Sequence, residues 1–121
     1  VMEQYRPQIL IVSAGFDAHE RDPEDGMLLD GGSYFEITRR LCAIADDYAD
    51  GRIVHLLEGG YDLEALSEGV DAVLAALVGL PRQSAPDSAE GFRVGDASRL
   101  AGEAIEETRA ALAPYWSLDT R

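Results

Sequence analysis

Lysine is absent from this sequence, and cysteine, histidine and long apolar stretches are scarce. All 10 basic residues are arginine, against 23 acidic residues, so the net charge is −13. A surface this acidic repels nucleic acid and anionic membranes and attracts cations such as polyamines and basic peptides. Proteins of a salt-adapted organism or of a GC-rich genome are acidic throughout and would show the same balance. The charge therefore argues against nucleic acid and anionic membranes as partners, but it does not identify a particular cationic partner.

The single cysteine, Cys42, excludes an internal disulfide and agrees with a reducing cytoplasm. No segment approaches the roughly 18 consecutive apolar residues that a transmembrane helix needs. The first residues lack the basic start and the apolar stretch of a secretory signal. We therefore expect a cytoplasmic protein, and 121 residues suffice for one small domain.

The short apolar segment 8–12 predicts a strand buried on both faces, as in a parallel sheet, and 52–57 predicts a second apolar strand. Between them, a helix is predicted to start at Ser33, with Glu36 suggesting a capping box, and to stop at Asp50-Gly51. Asp62 is predicted to cap a second helix. The expected core stripe of that helix comprises Leu63, Leu66, Val70, Val73, Leu74 and Leu77.

The order strand, helix, strand, helix predicts an α/β fold with a parallel sheet. Residues 1–80 would form this βαβα part. Residues 81–97 would form a linker or surface loop, and 98–121 a final helix and tail of the same domain. Ligands of such sheets bind beyond the carboxyl ends of the strands. Asp17 and Tyr61 follow the two strands, so both are expected to face one pocket.

The residues after each strand resemble the histone deacetylase superfamily, which includes acetylpolyamine amidohydrolases and acetoin utilisation deacetylases. The first motif is Ser13-Ala14-Gly15-Phe16-Asp17-Ala18, followed by Asp22-Pro23, and it is most similar to class II and prokaryotic members. The second is Leu57-Glu58-Gly59-Gly60-Tyr61, and a weaker third is Pro114-Tyr115-Trp116. The resemblance covers residues 5–80 well. It implies a three-layer α/β/α fold of the arginase/deacetylase type, of which this chain would be the C-terminal part.

The resemblance also implies the chemistry of a zinc-dependent deacetylase. Asp17 matches a ligand of the catalytic Zn²⁺, for which a carboxylate oxygen is suited. Tyr61 matches the tyrosine whose hydroxyl donates to the oxyanion of the attacked acetyl group, and a phenol stays protonated at neutral pH. Gly59 and Gly60 match glycines that let the backbone approach the substrate channel. The substrate would be an acetylated amine or peptide.

Pro23 and Glu24 match the rim of the substrate channel. Many relatives carry an apolar residue where this chain has Glu24, and an acid there resembles members that prefer cationic acetylpolyamines. A charge at the rim would attract a protonated amine. Glu24 also lies beside Asp25 in a very acidic loop, so it is equally well read as a solvated surface residue.

Several residues of the family's active site are not in this sequence. The paired histidines and the D-x-H segment with the other zinc ligands have no counterpart. His55 is expected to be a packed strand residue. Asp17-Ala18-His19 imitates a D-x-H pair, but the flanking residues match the later motif, so His19 is interpreted as a loop residue. We therefore expect a fragment that is inactive alone and whose activity belongs to an intact parent enzyme.

Two other functions are compatible with parts of the pattern. A nucleotide-binding α/β module also places glycine loops after strands, but neither loop contains a phosphate-binding glycine motif, and Glu58 and Asp62 would repel phosphate. A non-catalytic remnant or interaction domain could keep this fold without its activity. The sequence leaves the acetylated substrate and the oligomeric state open.

Overall fold

The computed structural model describes residues 1–24, 27–81 and 94–118. Its elements in chain order are α1 (Met2–Tyr5), β1 (Leu10–Ala14), α2 (Gly31–Tyr48), β2 (Ile53–Leu57), α3 (Leu63–Leu77) and α4 (Val94–Leu112). These residues form two compact units, one within 6–81 and one made of 1–5 together with 94–118.

The two strands of the first unit form a parallel pair. The register runs from Leu10 opposite Ile53 to Ala14 opposite Leu57, and α2 is the crossover between the strands. This confirms the predicted parallel order and α/β class. The first strand begins two residues later than predicted and continues to Ala14, because alternate residues up to that point still pair with β2.

Only one face of this sheet is covered. Leu10 is buried, whereas Ile11, Val54 and Leu56 on the opposite face are exposed. The prediction that the first strand is buried on both faces is therefore wrong for the described part of the chain. The helices α2 and α3 of this unit pack on one another and leave the second face exposed. That face is as apolar as the interior of a parallel sheet that is covered on both sides.

The start of α2 is set by Asp30 rather than by Ser33. The Asp30 carboxylate accepts a hydrogen bond from the Ser33 amide at 2.7 Å, so Asp30 is the N-cap and the predicted start at Ser33 is wrong by two residues. Glu36 does not complete a capping box, because it pairs with Arg39 and Arg40 along the helix surface. The predicted stop is confirmed: Asp50 and Gly51 have φ values of 51° and 71°.

The N-cap of α3 is Asp62, as predicted, and its carboxylate accepts from the Ala65 amide at 2.7 Å. The predicted core stripe is only partly correct. Leu63 is 81% exposed, and Leu74 and Leu77 are also exposed. The buried face instead carries Ala65, Gly69, Val73 and Ala76. Small side chains face inward because this helix packs closely on α2 and on the loop after β1.

Phe16 is the centre of the core. Its ring is buried between Tyr34 of α2, at a centroid distance of 5.0 Å, and Val73 of α3. The ring also lies against Gly69, where a Cβ atom would overlap Cδ1 and approach Cε1 to 2.8 Å. The residue before Asp17 thus anchors its loop in the hydrophobic core.

The second unit is built on α4. Its helix begins at Val94 and ends at Leu112, so the predicted linker of 81–97 is wrong for 94–97, and residues 82–93 lie outside the described residues. Gln4 of α1 exchanges two hydrogen bonds with the backbone of Ser117, and the Tyr5 ring packs edge-on against Trp116. That 98–121 belongs to the same domain as 1–80 stays a prediction.

We expect the same substitution to have opposite effects at two glycines. Gly69→Ala forces the Phe16 ring out of its site and should lower the free energy of unfolding by about 1–3 kcal/mol. Gly102→Ala meets no atom within 4 Å and should raise it by roughly 0.5–1 kcal/mol through helix propensity. Urea unfolding followed by circular dichroism measures both. A stable Gly69→Ala variant would contradict the packing described.

Candidate active site

Two loops meet at one edge of the sheet, where the parallel strands end. Beyond the strands, the Glu58 amide donates to the Ala14 carbonyl at 3.1 Å and the Phe16 amide donates to the Gly59 carbonyl at 2.8 Å. The loops after β1 and β2 therefore continue side by side. This is the arrangement expected from the parallel order of the strands.

The half-buried carboxylate of Asp17 lies directly on the second loop. A Cβ at Gly59 would overlap the Asp17 Oδ2 atom and lie 2.6 Å from Cγ, and one at Gly15 would lie 2.8 Å from Oδ1. A side chain at either position would therefore force the Asp17 carboxylate to move, and the larger displacement would come from position 59. No hydrogen-bond donor in 1–24, 27–81 or 94–118 reaches its oxygens, so the carboxylate is available for a ligand.

Tyr61 follows Gly59 by two residues, but its side chain is 65% exposed. No hydrogen bond joins the Tyr61 side chain to Asp17. The structure instead brings the Asp17 carboxylate against the backbone of Gly59, just before Tyr61. Gly60, between them, has a φ of +130°, and a Cβ there would lie 3.0 Å from the Cβ of Phe16. The close packing of the two loops thus explains why glycine stands at positions 59 and 60. The role of Gly59 and Gly60 toward a substrate stays a prediction.

Asp22 joins the two loops, a role that its place in the first motif does not predict. It is 3% exposed, and its Oδ2 atom accepts from the amides of Tyr61 at 2.7 Å and Asp62 at 3.1 Å. Its Oδ1 accepts from the Glu24 amide at 3.0 Å. An Asp-Pro pair can predict the local turn to Glu24. No local sequence pattern predicts the hydrogen bonds from Tyr61 and Asp62, which lie 39 and 40 positions away.

Tyr34 lies beneath these carboxylates with its hydroxyl buried, and that hydroxyl has no hydrogen-bond partner among the described residues. Burial, and then the negative charges of Asp17 and Asp22, raise the pKa of Tyr34 to about 12. The phenol therefore stays protonated. The sequence around Tyr34 does not show that acids from the loop after β1 lie nearby.

His19 is 1% exposed and serves the first loop. Its Nδ1 accepts from the Arg21 amide at 3.1 Å, and its Nε2 lies 3.6 Å from Glu68 of α3. Glu68 also accepts from the Arg21 guanidinium and the Gly31 amide, both at 2.9 Å. These contacts tie the loop to α2 and α3. They support the interpretation of His19 as a loop residue.

Pro23 and Glu24 are both exposed on the first loop. Only the backbone amide of Glu24 is engaged, by Asp22. Its carboxylate meets no partner within the described ranges, so the geometry agrees both with a charged rim residue and with a solvated one.

A zinc ion fits one part of this arrangement. The Asp17 carboxylate is half-buried, unpaired among the described residues and held by a glycine cradle, as a metal ligand at a loop would be. In the part of the chain that the structure describes, however, no three His, Cys, Asp or Glu residues are grouped so that they could hold a metal. Asp17 can therefore be one ligand, and the others would have to come from outside these residues.

The chain is similar to one protein-family model and to several known proteins. A model of the histone deacetylase domain matches residues 1–77. Human polyamine deacetylase HDAC10 is 35% identical over 115 residues, covering 93% of this chain and 15% of that protein. Histone deacetylase 10, chloroplastic, of rice (Oryza sativa subsp. japonica) is 34% identical over 107 residues, covering 88% and 24%. A probable deacetylase of Archaeoglobus fulgidus is 40% identical over 80 residues, covering 65% and 22%.

The chain belongs to the histone deacetylase family, as the two loop motifs indicated. It spans between 15% and 24% of the length of these three curated relatives. Among the described residues, no helix combines the length and apolarity that crossing a bilayer requires.

His55 is the packed strand residue that was predicted: both of its ring nitrogens are buried without a hydrogen-bond partner among the described residues. Burial lowers the pKa of His55 below its ordinary value of 6.5. The unfolded chain therefore binds a proton more readily than the folded one below pH 6.5. We expect the free energy of unfolding to be unaffected by His55 above this pH and to fall as the pH drops below it.

Urea unfolding between pH 5 and 8, compared with His55→Leu, measures this effect. The variant should show a shallower loss of stability on acidification, since it has no imidazole to protonate. An identical pH profile for both proteins would mean that His55 is protonated as easily in the folded chain as in the unfolded one.

Proposed function

We propose that this chain supplies one side of the active site of a zinc-dependent deacetylase, which hydrolyses an acetyl-amide to acetate and a free amine. The observation that carries the proposal is the unpaired Asp17 carboxylate, held on Gly59 two residues before Tyr61. This pair of loops lies inside the region that the histone deacetylase domain matches. The activity would belong to an intact parent protein, and this part alone would be inactive.

Asp17 would be one of three protein ligands of a Zn²⁺ ion, and another divalent metal could take its place. When bound, the metal would polarise the acetyl carbonyl and the attacking water. The remaining ligands and the histidine pair would come from residues outside this chain. Its own contribution is the Asp17 carboxylate, positioned through Phe16 in the core and through the glycines on either side.

Tyr61 would donate its hydroxyl to the oxyanion that forms when water attacks the acetyl group. Its exposure leaves the side chain free to meet a substrate at the edge of the sheet. Gly59 and Gly60 would line the substrate channel, with Pro23 and Glu24 at its rim.

The bare face of the sheet supports a larger fold than the described residues form. A further layer on Ile11, Val54 and Leu56 would complete the three-layer α/β/α arrangement of the arginase/deacetylase type. A cytoplasmic location remains our prediction. Binding of a nucleotide gains no support from the comparisons, whereas a non-catalytic protein of the same fold is the alternative that the following experiment addresses.

Two substitutions in the full-length protein test the catalytic assignment. Asp17→Asn should abolish activity and lower the zinc content, because it removes an anionic ligand. Tyr61→Phe should retain zinc and lower kcat by about 10²–10³-fold, the usual loss of an oxyanion donor. Metal analysis and turnover of acetyl-lysine peptide, acetylspermidine and a small acetylated amine measure both effects.

Matched controls are Asp47→Asn and Tyr115→Phe, which make the same changes at exposed positions. Full zinc content and activity in Asp17→Asn would refute the ligand assignment. A wild-type protein that binds zinc but turns over none of the three substrates would favour the non-catalytic alternative.

The rim residue has its own test. If Glu24 attracts a cationic substrate, Glu24→Leu should lower the ratio of kcat/KM for acetylspermidine to that for acetyl-lysine peptide by roughly fivefold, since about 1 kcal/mol is expected from one exposed charge. Glu20→Leu, at an exposed acid of the same loop, is the control. An unchanged ratio means that Glu24 is merely solvated.

A further inference from the structure

One buried acid at this site has no part in the proposed reaction. Asp22 is 3% exposed, yet no basic side chain among the described residues forms an ion pair with its carboxylate, and it belongs to no group of described residues that could hold a metal. It accepts hydrogen bonds from three backbone amides instead: those of Tyr61 and Asp62 in the second loop and that of Glu24 in its own. Burying a carboxylate costs solvation free energy, which hydrogen bonds to these amides must offset.

Few contacts fix the position of Tyr61 in the second loop. Tyr61 makes no side-chain hydrogen bond within the described residues, and it follows Gly59 and Gly60, whose backbones have the widest choice of conformations. A small rotation of the backbone at Tyr61 would carry its hydroxyl, at the far end of the side chain, well away from a substrate. The hydrogen bonds from the Tyr61 and Asp62 amides to Asp22 oppose such a rotation.

We propose that Asp22 is a positioning residue for Tyr61: it binds the Tyr61 and Asp62 amides from the facing loop and so sets the place of the Tyr61 hydroxyl during deacetylation. This inference rests on the proposed function. It assigns Asp22 a role in the rate of the reaction and not in binding of metal or substrate.

A carboxylate suits this task better than an amide does. Both oxygens of Asp22 accept, Oδ2 from the second loop and Oδ1 from the first. Asparagine has the same shape but would turn an NH₂ group toward one of these donors, so one set of bonds would be lost. Although burial raises the pKa of Asp22, the backbone hydrogen bonds from Tyr61, Glu24 and Asp62 bring it below the ordinary value. The group is therefore ionised at neutral pH, which strengthens these bonds.

The test compares Asp22→Asn with wild type in the full-length enzyme. We expect kcat to fall by about tenfold to a hundredfold, the effect of a small misplacement of a reacting group, while KM and zinc content stay near those of wild type. Glu20→Gln makes the same change at an exposed position of the same loop and should leave kcat unchanged. A wild-type kcat in both Asp22→Asn and Asp22→Ser, whose side chain is too short to reach the second loop, would overturn the proposal.

A double-mutant cycle separates positioning from general loss of structure. If Asp22 acts through the Tyr61 hydroxyl, Asp22→Asn should change kcat less than about twofold in a Tyr61→Phe background. An equal fold loss in both backgrounds would show that Asp22 acts elsewhere. If Asp22→Asn fails to fold, Asp22→Ser replaces it, because a serine can keep the local turn to Glu24 but is too short to span to the second loop.

Amide hydrogen exchange gives a readout that does not depend on activity. The Tyr61 and Asp62 amides should be protected in wild type and should lose that protection in Asp22→Asn, but not in Glu20→Gln. Unprotected amides in wild type would overturn the proposal. If the wild-type enzyme shows no deacetylase activity while these amides are protected through Asp22, the proposed function fails and the contact between the loops stands.

Discussion

The site depends on how closely the loop after β1 approaches the loop after β2. The Phe16 amide binds the Gly59 carbonyl, and the Asp17 carboxylate packs where a side chain on Gly59 would have to be. No other residue type could stand at position 59 without moving this carboxylate. The parallel pairing of the strands brings the loops together, and the glycine lets them touch.

A single aromatic side chain links this contact to the core. Phe16 fills the space between α2 and α3, and its ring needs the bare backbone of Gly69. The residue next to it in sequence is Asp17, so the position of the carboxylate follows from the packing of the ring. Packing thus orients the polar group, in a part of the molecule where no hydrogen bond to that group has been found among the described residues.

Two acids of the first loop, the half-buried Asp17 and the buried Asp22, differ in how their oxygens are satisfied. Asp22 has all its oxygens satisfied by backbone amides and joins the loops, whereas Asp17 has none satisfied within the described ranges. A half-buried carboxylate without a donor is costly unless a cation binds it. This contrast is what distinguishes a structural acid from a candidate ligand, and both lie close enough to Tyr34 to raise its pKa.

The sequence by itself determined the class of fold, the order of the elements, the N-cap at Asp62, the stop at Asp50-Gly51 and, through two short motifs, the family. These features depend on local chemistry: strand-forming runs, capping carboxylates and glycines read over a few residues. The three-dimensional structure alone decided that Asp30 starts α2, that the small residues of α3 and not Leu63, Leu74 and Leu77 face inward, and that Asp22 holds the Tyr61 backbone. The last two depend on which partner a residue meets across many positions of the chain, and a pattern read along one chain does not contain that information. The start of α2 is a local choice between two nearby capping residues, and the structure selects Asp30, which accepts from the Ser33 amide.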